Sequence, residues 1–311
     1  MNTLVYGLHT DYEANKAWIE EHFHVTGYFD QDESRLPAKG GIKKAELKKA
    51  LAAADIVLVT ADPVSIVGDL MEEYDCPREK IRVLFYELEQ MPKSLRTFHG
   101  ERCEDAALLL LCCELGLSFS ELRYLEIGTN DPVRYNQTYN LYRLGARGLL
   151  VDALPSVETL AQMARPEDRF LHAAVSDRNR GRMSFFASKS STVSSLSEEH
   201  HKEWDGLSHN EVHEITVDVL GVNEVLERCG AVPDVLLVDA EGEDERIVRG
   251  IDFGKYRPRI LMVEVNHLEG EVDLGQFLRE KGYEEYATVA NNTIFVTRDA
   301  WESRPGKEAV R

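Results

Sequence analysis

The sequence predicts a parallel α/β protein made of two domains. Short apolar strands alternate with helix-like segments along most of the chain, a pattern typical of βαβ units. At 311 residues the chain has about the length of two ordinary domains. Several predicted strands end in polar groups, and parallel strands place such ends along one edge of a sheet. We therefore expect a mostly parallel sheet with helices on both faces, preceded by a smaller α/β domain.

The smaller domain is expected over residues 1–88. Its opening resembles the small Rossmann-like domains that precede catalytic domains in some bacterial glycan-modifying enzymes. The first turn contains one glycine, Gly7, whereas a dinucleotide-binding turn uses three for close approach of the pyrophosphate. We therefore expect a role in packing or in assembly, including homo-oligomers of this chain, with a working nucleotide site as the alternative. The predicted strands are 2–8, 25–29, 55–60 and 81–85, and the predicted helices are 11–22, 44–53 and 66–74.

Residues 89–100 are predicted to be a linker, residues 101–303 the larger domain, and residues 304–311 a charged tail. The larger domain opens with a helix that is apolar nearly all round and is therefore expected to be buried. It closes with an antiparallel pair of strands. The predicted helices are 104–115, 132–144, 156–164, 223–229, 244–250 and 274–281, and the predicted strands are 122–127, 148–152, 170–175, 183–187, 212–219, 233–239, 259–264, 283–287 and 292–296.

The stretch 122–152 organises the larger domain. An apolar strand breaks at Gly128 into a polar turn, and Asp131 before Pro132 predicts a helix N-cap followed by a first-turn proline. A second apolar strand ends at Asp152. Its separation from Gly128 is close to the ~20 residues usual for the ribose-binding acid of a nucleoside site. The unit therefore predicts a ligand site beyond the carboxyl ends of its strands.

Polar groups follow four predicted strands, at residues 128–130, at Asp152, at residues 239–241 and at residues 264–267. Unpaired buried carboxylates are costly, and several of them at one sheet edge are hard to explain by packing. The sequence therefore favours a functional edge.

Composition excludes some classes of partner. The net charge of −19 argues against nucleic acid or an anionic membrane, because both bind basic faces. The longest apolar run, residues 106–113, is too short to span a membrane. The first residues lack the basic region of a secretory signal. Five cysteines without metal-site spacing are typical of a reduced cytoplasm.

A set of blocks in conserved order across about residues 122–267 resembles the FkbM-type S-adenosylmethionine-dependent methyltransferases. Asn130 stands where the commoner methyltransferase turn has its second glycine, and Leu237 stands where this family often has lysine. Asp244 stands where the family usually has a glutamate, and Asp152 stands where the family usually has the glutamate of a Glu-Pro pair. The matching blocks are LEIGTNDP at 125–132, NQTY at 136–139, LVD at 150–152, AAVSD at 173–177, SSTVS at 190–194, VDAEGED at 238–244 and YRPRILMVE at 256–264.

The resemblance implies a Rossmann-like methyltransferase fold that binds S-adenosylmethionine. Gly128 would let the methionine part of the cofactor lie against the turn, and Asp152 would accept hydrogen bonds from the ribose hydroxyls. The cofactor-binding residues implied in this way are Glu126, Gly128, Asn130, Asp152, Ala174, Val175, Ser176 and Asp239.

The acceptor implied by the resemblance is a hydroxyl, expected on a sugar of a surface glycan or of a natural-product glycoside. His267 is the expected general base, with His200 or His201 as rivals. Asp239 and Glu241 are expected to be catalytic residues beside the acceptor.

Asp239, Glu264 and Asn266 could also hold a divalent cation, because oxygen ligands at the ends of adjacent strands suit Mg²⁺. The alternative is a metal-free site in which these side chains bind cofactor and acceptor. Two other functions stay open. One is a nicotinamide-dependent sugar-nucleotide enzyme that uses the first domain, and the other is a non-catalytic assembly protein that retains the fold.

Overall fold

The computed structural model describes residues 1–89, 98–188, 212–265 and 274–305. The chain divides into two compact units, Met1–Arg96 and Thr97–Arg311. Within the described ranges, no helix combines the length and the apolar character that crossing a membrane would require.

The N-terminal unit contains a four-stranded, fully parallel sheet whose strand order is β2-β1-β3-β4. This confirms the predicted small α/β fold. The fourth strand is shorter than expected, because Leu84 begins a helix where the strand was predicted to continue. The elements are β1 Asn2–Tyr6, α1 Thr10–His22, β2 His24–Phe29, α2 Lys44–Ala53, β3 Ile56–Val59, α3 Pro63–Glu72, β4 Ile81–Val83 and α4 Leu84–Glu89.

The turn after β1 is held in place by hydrogen bonds to a buried carboxylate. Asp30, at the end of β2, is buried, and its carboxylate accepts hydrogen bonds from the backbone N–H of Leu8 at 2.6 Å and of Asp32 at 2.9 Å. These hydrogen bonds join the turn after β1 to the turn after β2.

The C-terminal unit is built on a seven-stranded sheet in the order β13-β14-β12-β11-β5-β6-β7. Strand β14 runs antiparallel to both of its neighbours, which confirms the predicted antiparallel closing pair. The strands of this sheet are β5 Arg123–Ile127, β6 Arg147–Asp152, β7 Arg169–His172, β11 Val235–Val238, β12 Ile260–Glu264, β13 Tyr283–Val289 and β14 Asn292–Thr297.

Helices cover both faces of this sheet, as the sequence predicts. Successive strand residues point to opposite faces, so Val238 packs in one buried cluster and Leu237 in another. The initial helix is less buried than predicted, since the Leu110 side chain is 55% exposed. The helices are α5 Glu104–Glu114, α6 Tyr139–Arg143, α7 Pro155–Ala164, α8 Val222–Arg228, α9 Asp244–Gly250, α10 Leu274–Glu280 and α11 Arg298–Glu302.

A separate three-stranded sheet consists of β8 Ala174–Ser176, β9 Gly181–Ser188 and β10 Val212–Gly221. The prediction of one strand over 170–175 is therefore wrong. Strand β7 pairs with β6 in the large sheet, whereas β8 pairs with β10 in the small one. Residues 170–175 contain no glycine, proline or other turn residue that would signal such a change of partner.

The helix after the glycine turn also begins later than predicted. The Asp131 carboxylate does accept from the N–H groups of Val133 and Arg134, at 2.9 and 3.0 Å, but no helix follows directly. Helix α6 begins at Tyr139, whose N–H donates to the side-chain oxygen of Asn136 at 2.9 Å. The N-cap residue is therefore Thr138, and the Asn136 side chain, two residues earlier, accepts from the N–H groups of Thr138 and Tyr139.

Candidate active site

A cavity of about 760 Å³ opens at the carboxyl ends of the central strands of the C-terminal unit. Strand β5 pairs with β6 on one side and with β11 on the other. The order in which the strands are added to the sheet therefore reverses at β5, and open α/β sheets bind ligands at such a switch point. The ends of β5, β6, β11 and β12 contribute residues to the cavity, together with β8 and the β13–β14 turn.

Most of the residues singled out in the sequence meet at this cavity. Asn266, His267, His200 and His201 fall outside the described residues, so their roles stay predictions. The predicted residues that line the cavity are Gly128, Asn130, Asp152, Ala174, Val175, Asp239, Glu241 and Glu264.

Two of the predicted cofactor-binding residues do not line the cavity. Glu126 lies behind the turn, where its carboxylate accepts from the side chains of Asn136 at 2.7 Å and Thr138 at 2.5 Å. The Ser176 hydroxyl donates to the Glu243 carboxylate at 2.8 Å. Both side chains are fully buried and hydrogen-bonded to protein groups, so their predicted part in cofactor binding stays a prediction.

Gly128 is required by the packing of the protein itself, whereas the sequence analysis expected it to make room for the cofactor. Its φ is +81°, and a Cβ built there would lie 1.6 Å from the carbonyl oxygen of Asp239. The residue therefore allows the backbones after β5 and β11 to touch at the floor of the cavity. Close approach of a cofactor would be a second demand on the same position.

Asp152 is held in place by the backbone on both sides of it. One carboxylate oxygen accepts from the N–H of Asn130 and the other from the N–H of Leu154, each at 2.8 Å. Burial raises the pKa of this carboxyl above its usual value, and the two hydrogen bonds oppose that rise. A carboxylate has about four lone-pair directions, so each oxygen can still accept from a ligand hydroxyl. The arrangement suits a vicinal diol.

The cavity wall next to Asp152 is apolar. Phe185 is 7% exposed there and packs in a cluster with Ala153 and Ala174. The Thr129 hydroxyl and the Asn130 side-chain oxygen, both on cavity-lining residues, are buried and have no hydrogen-bond partner among the described residues. An apolar wall with a few polar groups in need of partners is typical of a small-molecule site.

At the opposite end of the cavity, Asp239, Glu241 and Glu264 come together. One carboxylate oxygen from each lies within 4.8 Å of the others. Burial raises the pKa of Asp239 well above its usual value, and the charges of Glu264 and Glu241 raise it further. This end of the cavity is therefore suited to a proton or to a cation.

Asp244 shapes the loop that carries two of these acids. Its carboxylate accepts from the N–H of Ala240 at 2.6 Å and of Gly242 at 3.0 Å, and burial raises its pKa to about 6. A shorter acid than the family's usual glutamate therefore serves as an anchor for the loop. Leu237 is buried in the apolar core, so this position supplies no charge partner for Asp239.

Arg165 is the residue that sequence reasoning missed. Its guanidinium is fully buried and donates to Glu126 at 3.2 Å, to Asp168 at 2.8 Å and to the Tyr124 hydroxyl at 2.8 Å. It also reaches the backbone oxygen of Pro132 at 3.4 Å. The network ties strand β5 to the turn at the cavity. Glu126 lies inside an apolar strand, and a buried acid indicates that a cationic partner is present. Nothing in the neighbouring sequence identifies that partner as Arg165.

Comparison with known proteins agrees with this geometry. The model of the methyltransferase FkbM domain matches residues 126–285, which covers the strand ends that line the cavity. No curated protein matches the chain. On the strength of the domain match, which spans half of its length, the chain belongs to the FkbM methyltransferase family.

Proposed function

We propose that this protein transfers a methyl group from S-adenosylmethionine to a sugar hydroxyl, on a surface glycan or a natural-product glycoside. Family membership supports methyl transfer. The observation that carries the choice of donor is Asp152, a buried carboxylate at the end of β6 that faces the cavity at the switch point of the sheet.

The residues present fit the adenosyl part of such a donor. Asp152 would accept from both ribose hydroxyls, and the wall formed by Phe185 and Ala174 would pack against the adenine. The Thr129 hydroxyl and the Asn130 side-chain oxygen, which have no partner in the described part of the chain, would gain hydrogen bonds from the amino-acid part. When bound, S-adenosylmethionine supplies an electrophilic methyl group on a sulfonium.

The chain's own contribution to the chemistry is positioning and proton removal. The acids at the far end of the cavity would orient the acceptor hydroxyl by accepting hydrogen bonds from it. A carboxylate whose pKa is raised, as it is at Asp239, is a better base than an ordinary aspartate. Asp239 can therefore take the hydroxyl proton while the acceptor oxygen bonds to the methyl carbon. His267 remains the alternative base.

Asp152→Ala is expected to weaken binding of S-adenosylhomocysteine about five- to 150-fold. This corresponds to about 1–3 kcal/mol for lost hydrogen bonds to a charged group. Isothermal titration calorimetry on the full chain measures it directly. Asp218→Ala is the matched control, because Asp218 is an exposed acid on β10 that does not line the cavity.

Thermal unfolding of both variants separates loss of the ligand contact from loss of the fold. The proposal fails if the wild-type protein does not bind S-adenosylhomocysteine at high concentration. If the protein binds it but methylates no glycan extract, the sugar acceptor is wrong and the non-catalytic alternative gains support.

A further inference from the structure

We infer that Asp239, Glu241, Glu264 and Asn292 form a binding site for a divalent cation at the acceptor end of the cavity. Cation binding stands independently of the proposed function, whereas the part that the cation plays in catalysis rests on it. The site differs from the sequence expectation, because Glu241 and Asn292 join Asp239 and Glu264.

The topology explains why these side chains meet. Val238 of β11 is paired with Val263 of β12, so Asp239 and Glu264 follow at the same level of the sheet. Glu241 enters from the next turn with a φ of +47°, a left-handed conformation that is unusual for glutamate. One oxygen from each acid falls within 4.8 Å of the others, a separation that a single ion can bridge.

Asn292 supports the cation site independently of the three acids. It is the residue of β14 paired directly with Glu264 of β12, and residues paired in this way lie on the same face of a sheet. Its side chain is 7% exposed, it lines the cavity, and its amide oxygen is buried without a hydrogen-bond partner among the described residues. A buried carbonyl-type oxygen beside acids needs a donor or a cation.

The chemistry of the ligands selects the class of ion. Carboxylate and amide oxygens suit hard cations such as Mg²⁺, Mn²⁺ and Ca²⁺, whereas Zn²⁺ usually takes sulfur or nitrogen ligands. The three acids and the Asn292 amide offer only oxygen ligands to an ion at this point. The site is therefore expected to prefer a hard divalent cation.

A cation at this point would serve the acceptor. It would bind the sugar hydroxyl beside the transferable methyl group and lower the pKa of that hydroxyl, so that a weaker base suffices. It would also favour neutral acceptors that present a diol to the ion.

The test is the binding of Mn²⁺ to the full-length protein in the absence of any methyl donor. Electron paramagnetic resonance and calorimetry measure this binding. Glu264→Gln is expected to weaken Mn²⁺ binding by at least about tenfold, since even outer partners of a metal site are worth that much. Asn292→Ala should weaken binding, whereas Asn292→Asp should strengthen it, because affinity for such ions rises with ligand charge.

Glu243→Gln is the matched control, because Glu243 is a cavity-lining acid whose carboxylate binds Ser176 and Arg246 instead of joining the cluster. Its Mn²⁺ affinity should equal that of the wild type. Absence of Mn²⁺ binding at millimolar concentration, or an equal affinity in Glu264→Gln and wild type, would overturn the inference. A protein that binds Mn²⁺ but not S-adenosylhomocysteine would refute the proposed function and leave the cation site intact.

Discussion

Arg165→Met is expected to lower the free energy of unfolding by about 3–5 kcal/mol, the usual cost of removing one partner from a buried ion pair. The guanidinium and both of its acidic partners, Glu126 and Asp168, have side chains at most 1% exposed. Methionine fills a similar volume but leaves two carboxylates without compensating charge. Urea unfolding at neutral pH measures the loss.

The loss should depend on pH in a defined direction. Burial raises the pKa of Glu126 even beside Arg165, and without that cation the pKa rises further. A carboxyl whose pKa is higher in the folded state than in the unfolded state is stabilising when protonated, and this contribution is lost as the pH rises. The variant should therefore lie closer to wild type at pH 5 than at pH 8.

Arg228→Met is the matched control, because Arg228 pairs with Glu224 one helical turn away and both side chains are partly exposed. Its removal should cost less than about 1 kcal/mol. The double variant Arg165→Met with Glu126→Gln should recover part of the lost stability, since it removes one of the uncompensated charges. Equal effects of Arg165→Met and Arg228→Met would contradict the importance of the network.

The sheet edge could be predicted because its signals are local. A buried apolar run followed by an acid is visible at Asp152, at Asp239 and at Glu264, and parallel strands bring such ends together. The cavity forms where the strand order reverses beside β5. This physics needs no knowledge of which side chains touch.

The supporting interactions could not be predicted because they depend on distant partners. Arg165 and Glu126 are separated by 39 residues, and either could have paired with many other charges. The start of helix α6 illustrates the same limit. Asp131 is a good capping residue, but the helix begins at Tyr139, where the Asn136 side chain donates to Glu126 and accepts from the Tyr139 N–H. Local sequence therefore identifies residues that could cap a helix or form an ion pair, and tertiary contacts determine which of them do so.

Gly128→Ala is expected to lower the free energy of unfolding by about 2–5 kcal/mol and to abolish the binding of S-adenosylhomocysteine that the proposed function predicts. An alanine at positive φ costs about 1–2 kcal/mol, and overpacking of a closed site adds about 1–3 kcal/mol. The new methyl group would lie 1.6 Å from the Asp239 carbonyl oxygen, a backbone atom that cannot rotate away. The ends of β5 and β11 would have to separate.

Gly230→Ala isolates the effect of this close approach. Gly230 has a φ of +80°, almost equal to the +81° of Gly128, but a Cβ there meets no atom of the described residues within 4 Å. Both variants carry the same backbone penalty, so the difference between them measures the contact with Asp239. We expect Gly230→Ala to bind S-adenosylhomocysteine as the wild type does. If Gly128→Ala matches it in stability and in affinity, the strand ends can separate without harm and the cavity does not depend on their contact.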